Sequence, residues 1–357
     1  HAVTRSSEKI KEEMMAAVNA APQMQATPVD LSTAEDAIAG AAQVIEHDFY
    51  FPLLAHAPME PLSATIEPTA DGGAIMHEGA QFPTIDHQVM HQILDIPMEM
   101  LQVNSLYAGG FFGRRASTDA DFVTETVMAF AMTDRSRPVK LVWSREDDIT
   151  GGYYRPQVAH RVRVGLDADG AILGWDHRIA CPSLFKGTAF ESFIVRDGID
   201  HSSIEGVPDT IYDIPSIHVG LTDTKPATTV IWWRSVGNSH TAYVMEMMMD
   251  ACAAAAGVDP VDYRLRYLPD SSNTDQVRLA GVIQLAAEQA GWGSELPEGR
   301  ARGLAAHKCF GSYVAEVCEI STDADGTVKI EKVTAAVDCG IAVTPDVVRA
   351  QIEGGIG

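Results

Sequence analysis

The run that most constrains this chain is residues 106–115, Leu-Tyr-Ala-Gly-Gly-Phe-Phe-Gly-Arg-Arg. It follows an apolar run, 100–103, that reads as a short strand. It precedes 118–132, where Phe122, Val123, Thr126, Val127 and Phe130 recur at helical spacing. A glycine-dense turn between strand and helix lets backbone N–H groups approach a bound group, because no Cβ intervenes. The helix start behind it favours an anion. Two phenylalanines inside the turn suit a pocket for something flat and apolar. The pattern is neither G-x-G-x-x-G nor the P-loop lysine signature, so a nucleotide is not the natural reading. On these residues alone, the competing reading is a tight structural turn whose arginines are solvated.

A chain of 357 residues can bury a substantial core in two or three domains. Its net charge of −23 repels phosphate backbones, so nucleic acid is not an expected partner. No apolar run reaches the length of a membrane span, and the polar, helix-prone start has no hydrophobic signal core. Cys181, Cys252, Cys309, Cys318 and Cys339 are scattered without a C-x-x-C pair, which argues against an iron–sulfur cluster or structural zinc.

Helices are predicted over 5–20 and from a capping box at Ser32-Thr33-Ala34-Glu35 to about 42. A strand follows over 44–51, then a proline-rich stretch. Residues 64–67 and 74–77 form a hairpin around Asp71-Gly72-Gly73. An amphipathic helix over 84–94 presents Ile85, Val89 and Ile93 on one face, and 139–143 is another strand. Hairpins cross Asp167-Ala168-Asp169-Gly170 and Asp323-Ala324-Asp325-Gly326. Irregular loops are expected over 181–216. Helices are expected from a Ser239 cap to Gly257, from Asp259-Pro260 with Leu265 and Leu268 inward, over 276–290, and from Thr344-Pro345 toward Glu353. Helices and hairpins without strict β-α alternation make an α+β fold, mixed hairpin sheets with packed helices. The expected division is an N-terminal helical segment, 1–43, and two closely packed portions, 44–225 and 226–357.

Several constellations have bland readings that outweigh sharper ones. His87 and His91 stand four apart on a helix, as a zinc pair would, but no third ligand is signalled, and a solvated face is the expectation. His56 with Glu60 could be an acid–base pair; in so proline-rich a stretch, structural hydrogen bonding is expected instead. Met245, Met247, Met248 and Met249 read as core filling. The Asp-x-Asp-Gly runs are hairpin turns, not calcium loops. There is no G-x-S-x-G, and no cysteine beside a helix start with a basic partner.

With these segments laid out, four separated motifs resemble one family. Tyr50-Phe51-Pro52-Leu53-Leu54-Ala55-His56-Ala57-Pro58-Met59-Glu60-Pro61 resembles a segment of molybdenum hydroxylase large subunits, the xanthine dehydrogenase and aldehyde oxidase family. The likeness is to the branch of isoquinoline 1-oxidoreductase β-subunit-like proteins and related membrane-associated aldehyde dehydrogenases. Ala108-Gly109-Gly110-Phe111-Phe112-Gly113-Arg114-Arg115 is similar to that branch's Ala-Gly-Gly-Ser-Phe-Gly-Arg-Arg form. Trp232-Trp233-Arg234-Ser235-Val236-Gly237-Asn238-Ser239-His240 is similar to its Trp-Arg-Ser-Val-Gly-x-Ser-His motif. Phe310-Gly311-Ser312-Tyr313-Val314-Ala315, Asp338-Cys339-Gly340 and Gln351-Ile352-Glu353-Gly354-Gly355 match further on.

The resemblance implies a molybdenum–molybdopterin cytosine dinucleotide cofactor held by hydrogen bonds, with no protein ligand to the metal. It implies insertion of a water-derived oxygen next to a carbonyl or ring nitrogen, in small aldehydes or N-heterocycles. Gln81 matches the glutamine that hydrogen-bonds a molybdenum oxo group. Phe112 and Gly113 match the Phe-Gly beside the metal, and Arg234 the arginine across from it. Gly109, Gly110, Phe111, Gly311 and Ser312 fall in matching cofactor-binding stretches, and Gln351 matches a pterin-contacting segment. Such donors stabilise charge developing on oxygen, typically by roughly a few kcal/mol each. Phe111 stands where the branch usually has serine. Ala116 stands where purine-oxidising relatives carry a glutamate, which disfavours purines.

The family's base glutamate, in a Gly-Glu-Pro motif, and its Met-Gly-Gln-Gly segment are not met in this run. The chain therefore reads as the middle of a longer subunit. Its expected partners are the remaining segments of that subunit and a 2Fe–2S small subunit or cytochrome c as electron acceptor. The periplasm is the expected compartment by family analogy. The alternative is a cofactor-free segment acting as a binding or assembly scaffold.

Overall fold

The strands Val158–Leu166 and Ile172–Cys181 form the centre of the largest sheet in a computed structural model that describes residues 5–357. Their turn is fixed as its composition dictates. Asp167 Oδ1 accepts from the N–H groups of Asp169 (2.9 Å) and Ala171 (2.8 Å), and Gly170 takes φ +75°. Gln43–Phe51 pairs antiparallel on one side, and Ile217–Asp223 runs parallel to Ile172–Cys181 on the other, with Met24–Gln25 at the far edge. Helices Ser7–Asn19 and Leu31–Ala39 pack on the sheet, as does the long helix Asn238–Ala256. With helices on both faces, the central strands bury nearly every residue, including Trp175 at 0% exposure.

A second sheet has the order Leu101–Ser105, Ala74–Glu78, Ser63–Pro68, Val139–Val142. Helices Pro83–Leu94 and Asp121–Ala131 cover it, with Leu62, Ile66, Met76, Met90, Leu94, Phe122, Val127 and Phe130 as its core. All five residues predicted for the inward face of Asp121–Ala131 are buried. A three-stranded meander, Arg300–Cys309, Ser312–Thr322 and Val328–Asp338, packs on Thr274–Ala290. The result is the expected α+β arrangement of hairpin sheets with packed helices. The first four residues of the N-terminal segment lie outside the described residues.

Several local expectations are corrected. Asp30, not Ser32, caps Leu31–Ala39, because its carboxylate reaches Thr33 N–H at 2.8 Å. The deeply buried stripe of Pro83–Leu94 is Asp86, Met90 and Leu94, one residue round from Ile85, Val89 and Ile93, which are half-buried. Ser239 does not cap Asn238–Ala256; its hydroxyl donates to Val236 O at 2.8 Å inside a turn already helical. Asp259 does cap Pro260–Arg266, and Leu268 is buried in the main core with Leu265 half-buried against it, as expected, but within the helix itself the deeply buried residues are Val261, Tyr263 and Arg264. The 181–216 stretch holds a short helix, Glu191–Ile194, and a two-strand pairing of Val195–Arg196 with Ile199–Asp200.

Candidate functional site

Strand Leu101–Ser105 stops where Leu106 N–H donates to Glu78 O at 2.7 Å, and the glycine turn begins. Gly109 N–H donates to Glu60 Oε2 (2.6 Å) while Glu60 N–H donates to Gly109 O (3.0 Å). This reciprocal pair ties the turn to the proline-rich segment and holds the Glu60 carboxyl below its usual range. Gly110 (φ +114°), Phe112 (φ +52°) and Gly113 (φ +95°) all sit in left-handed territory. For Phe112 that conformation costs on the order of 1–3 kcal/mol, and such residues cluster at functional sites.

The arginines that follow are not solvated. Arg114 and Arg115 are each 1% exposed. Arg114 forks onto Asp121, at 3.1 and 2.5 Å, between the rings of Trp143 and Tyr153. Asp121 is the first residue of Asp121–Ala131, so the helix start expected to favour an external anion holds the chain's own carboxylate. Arg115 donates from Nε to Gly110 O (3.3 Å) and from Nη2 to Glu60 O (3.3 Å). Its main-chain N–H donates to Gln81 Oε1 at 3.1 Å, which leaves the Gln81 amide Nε2 to donate elsewhere.

The facing wall comes from 232–236. Arg234 N–H donates to Phe112 O at 2.9 Å, and Ser235 (φ +71°) and Val236 (φ +50°) turn the chain back into its helix. His56 Nε2 donates to Trp232 O at 2.9 Å, and its ring stacks on Trp233 (4.7 Å, 21°), which lies parallel to Phe112 (6.2 Å, 15°). Burial pushes the His56 imidazole down to about 4, so it is neutral at physiological pH. His56 and Glu60 thus hold separate segments rather than each other, the structural role expected of them.

A third element borders the space. Arg234 Nη2 donates to Gln351 O (3.3 Å) and Oε1 (3.4 Å) on the helix Pro345–Ile356. The cleft between these elements is open to solvent and measures about 610 Å³. Of the residues predicted from sequence, it brings together Gln81, Gly110, Phe111, Phe112, Gly113, Arg234 and Gln351. Gly109 is turned toward Glu60 instead, and Gly311 and Ser312 do not line the cleft; the adjacent Phe310, at φ +48°, does. Sequence reasoning missed Trp233, Ser235 and Phe310 as lining residues, although each lies inside or beside a motif it had singled out.

Away from the cleft, His87 and His91 are neither a metal pair nor a solvated face. His87 Nε2 faces the carbonyls of Met98 (3.0 Å) and Leu101 (3.1 Å), and His91 Nδ1 that of Ile96 (2.7 Å), so they hold the chain leaving their helix. Among the described residues no group of three or more His, Cys, Asp or Glu side chains is placed to hold a metal ion. Met245, Met248 and Met249 are core, while Met247 is 43% exposed.

A cleft of this size, walled by glycine backbone, parallel aromatic rings and one guanidinium, defines a module that holds a large organic group through hydrogen bonds. A family model described as a molybdopterin cofactor-binding domain matches residues 18–268, and a second of the same description matches 217–357. The chain belongs to this family, the molybdopterin-binding part of the molybdenum hydroxylases. It is similar to the isoquinoline 1-oxidoreductase beta chain of Brevundimonas diminuta, 32% identical over 314 residues that cover 85% of this chain and 38% of the relative. A nicotinate dehydrogenase subunit of Pseudomonas putida is 27% identical over 94% of this chain and 29% of its own length. In fold it resembles quinoline 2-oxidoreductase from Pseudomonas putida 86, with TM-score 0.61 and 18% identity over 82% of this chain and 38% of that one. It also resembles aldehyde oxidoreductase from Desulfovibrio gigas, with TM-score 0.56 and 21% identity over 83% and 33%. The chain thus spans less than half the length of the curated relatives it matches.

Proposed function

We propose that this chain supplies the cleft in which a molybdenum–molybdopterin cofactor, in its cytosine dinucleotide form, oxidises a small aldehyde or N-heteroaromatic compound. The observation that carries the proposal is the convergence of three distant segments on one cleft. Gln81 is oriented by Arg115 N–H, the Phe112 carbonyl is fixed by Arg234 N–H, and Gln351 is held by the Arg234 guanidinium. These residues fit the group. A Cβ on Gly113 would lie 2.7 Å from Trp232 O, so the floor of the cleft is closed to side chains. The donors around it are an amide and a guanidinium, which suit oxygen-rich groups and offer no thiolate or imidazole to a metal.

When bound, the cofactor would supply the two-electron redox chemistry and the activated oxygen. In this reading the chain's own residues bind and orient. The Gln81 Nε2 amide donates toward an oxygen, and the Arg234 side chain brings positive charge to the facing wall of a strongly acidic protein. Phe111, Phe112 and Trp233 give a flat substrate an apolar surface. Removing one such preorganised donor typically costs roughly 10²–10³-fold in rate. Electron transfer onward to an iron–sulfur or haem partner, and a periplasmic location, belong to the same proposal and rest on the branch resemblance. The partner accords with relatives that are themselves named as subunits.

The test is molybdenum content by mass spectrometry, with the intact mass, on protein made in a host that synthesises molybdopterin. Molybdenum near one per chain supports the reading. Protein of the right mass and folded, yet free of molybdenum, favours the cofactor-free scaffold instead.

A further inference from the structure

A second groove lies between the helix Asn238–Ala256 and the meander, on the face of that sheet that Thr274–Ala290 leaves open. Along Ser312–Thr322, Tyr313, Ala315 and Val317 are buried against Thr274–Ala290, so the alternate residues Val314 and Glu316 stand on the other face. Facing them from the helix are Tyr243 and Met247, one turn apart and exposed at 54% and 43%. The Tyr243 ring is braced edge-on by Phe49 and Phe51, at 6.2 and 5.7 Å. The groove measures about 350 Å³, within the range of small-molecule sites, and opens to solvent.

Its chemistry is one-sided. Three carboxylates reach it, and among the described residues no lysine or arginine lines it. Glu246 is fully engaged, accepting from Arg264 Nε (2.8 Å), Tyr212 OH (2.9 Å) and Ala306 N–H (2.8 Å). Asp250 shares that same guanidinium at 2.7 Å, so two carboxylates answer one cation. Glu316 is answered by nothing in its sheet, where the register sets Ala305 and Ala335 across from it. Burial alone acts on its carboxyl, pushing it up. His307 adds no charge, because burial pushes it down to about 4 and its Nε2 is bonded to Asn238 Oδ1 at 2.7 Å. A half-buried carboxylate on an apolar floor is costly unless a cation or donor meets it.

A strand does not fit as the occupant. The outer edge of Arg300–Cys309 is free of sheet partners, but at the groove Ala306 N–H already donates to Glu246 Oε2, which closes the edge to main-chain pairing there. A second copy fits no better, since it would bring another net charge of −23 to the same acids. We infer that the groove binds a small organic cation with an apolar body, an aryl- or alkylammonium, its charge set between Glu316 and the Tyr243 ring and its body on Met247 and Val314. An ammonium group is attracted to the face of a tyrosine ring as well as to a carboxylate, and methionine adapts to the shape laid on it. The groove shares no lining residue with the cofactor cleft, so the site goes beyond the proposed function and does not depend on it.

The experiment is NMR of the whole chain, ¹³C-labelled at the methionine methyls and titrated with benzyltrimethylammonium. The Met247 signal is assigned by its loss in Met247→Leu. A saturable shift of Met247, with Met59 and Met132 as exposed references elsewhere, is the expected result. Benzyl alcohol, which has the ring without the charge, and tetramethylammonium, which has the charge without the ring, should each bind roughly tenfold more weakly. Glu316→Gln should weaken the cation by roughly tenfold, and Tyr243→Leu by a smaller factor. If Glu316→Gln does not fold, the three probes on the native chain still decide. No saturation by about 10 mM overturns the inference, as does equal affinity for benzyl alcohol. Equal shifts at Met59 and Met132 overturn it too, by showing a general attraction of cations to an acidic surface. A Met247 signal that moves with protein concentration alone would put a second copy in the groove instead.

Discussion

Gly113 lies so close to Trp232 that a Cβ built on it would stand 2.7 Å from the Trp232 carbonyl oxygen and 2.9 Å from its ring Cδ1. The same glycine has φ +95°, so a side chain there is strained by its own backbone as well. Gly311 separates the two effects, because it has φ +80° with nothing within 4 Å of its built Cβ. Gly311→Ala should cost about 1–2 kcal/mol, the left-handed penalty alone. Gly113→Ala should cost clearly more, roughly 3 kcal/mol, since the Trp232 backbone must also shift. Urea unfolding of both variants checks this, and equal losses would mean that the turn and the 232–236 segment are not tightly apposed.

The largest stability effect away from the cleft should fall on Arg264. Its guanidinium is fully buried and donates to Glu246 Oε2 (2.8 Å), Asp250 Oδ1 (2.7 Å), Glu246 O and Pro260 O. Glu246 in turn accepts from Tyr212 OH (2.9 Å) and Ala306 N–H (2.8 Å), so one ion pair joins two helices, a loop and the edge strand of the meander. Arg264→Met strands the buried carboxylate and should cost about 3–5 kcal/mol. Lys9→Met, which removes an exposed i,i+3 partner of Glu12, should cost about 0.5 kcal/mol or less. Calorimetry or urea unfolding of the two variants gives the comparison, and a loss below that of an ordinary surface change at Arg264 would refute it.

Acid should weaken the fold through a chain of imidazoles. His160 Nδ1 lies 2.8 Å from His177 Nε2, and its Nε2 lies 3.0 Å from His240 Nδ1, all three rings fully buried. Burial pushes His177 and His240 down to about 3 and His160 well below its usual value. The folded state therefore binds fewer protons than the unfolded state, whose imidazoles titrate near 6.5. Their contribution is complete above that value and is lost as pH falls toward the folded value. At about pH 5 the loss through His177 is roughly 2 kcal/mol. Glu205, pushed up to about 7 by burial, works in the opposite sense, so the total slope is not the readout. The readout is the difference between the native chain and His177→Gln, whose unfolding free energy should depend less on pH between about 7 and 5. Identical slopes would rule out a buried neutral His177.

Much of this architecture is legible in the sequence because local chemistry and tertiary context agree. Asp167-Ala168-Asp169-Gly170 makes a hairpin from its own hydrogen bonds, and Phe122 through Phe130 bury one helical stripe. Elements escape where burial on both sides erases periodicity. Ile217–Asp223 is a sheet-interior strand whose polar members find partners far away in sequence: His218 bonds Asp176 at 2.8 Å, and a Cβ on Gly220 would meet Pro22 at 2.6 Å. Arg300–Cys309 escapes for the opposite reason, as a strand of small and basic residues whose arginines pair with Glu319 across the sheet. In the cleft, the glycine turn and the Arg234 loop are visible as motifs. That Arg114 and Arg115 are buried is not visible, because their partners Asp121, Glu60 and Gln81 come from three separate segments.

Arg234 should separate binding from stability. Its side chain is exposed, and its contacts with Gln351 are long, at 3.3 and 3.4 Å, to a helix with no buried residue. Losing a contact of that kind costs at most about 0.5 kcal/mol, so Arg234→Gln should unfold at the same urea concentration as the native chain. The main-chain bond from Arg234 N–H to Phe112 O survives the substitution, so the cleft keeps its shape. What disappears is a guanidinium facing the cleft in a protein of net charge −23, where a bound anionic group has few other sources of attraction. Molybdenum retained through purification should therefore fall by roughly tenfold or more, corresponding to about 1.4 kcal/mol of binding. If Arg234→Gln keeps its molybdenum but loses stability, the residue is structural and the cleft's positive charge is not what holds the cofactor.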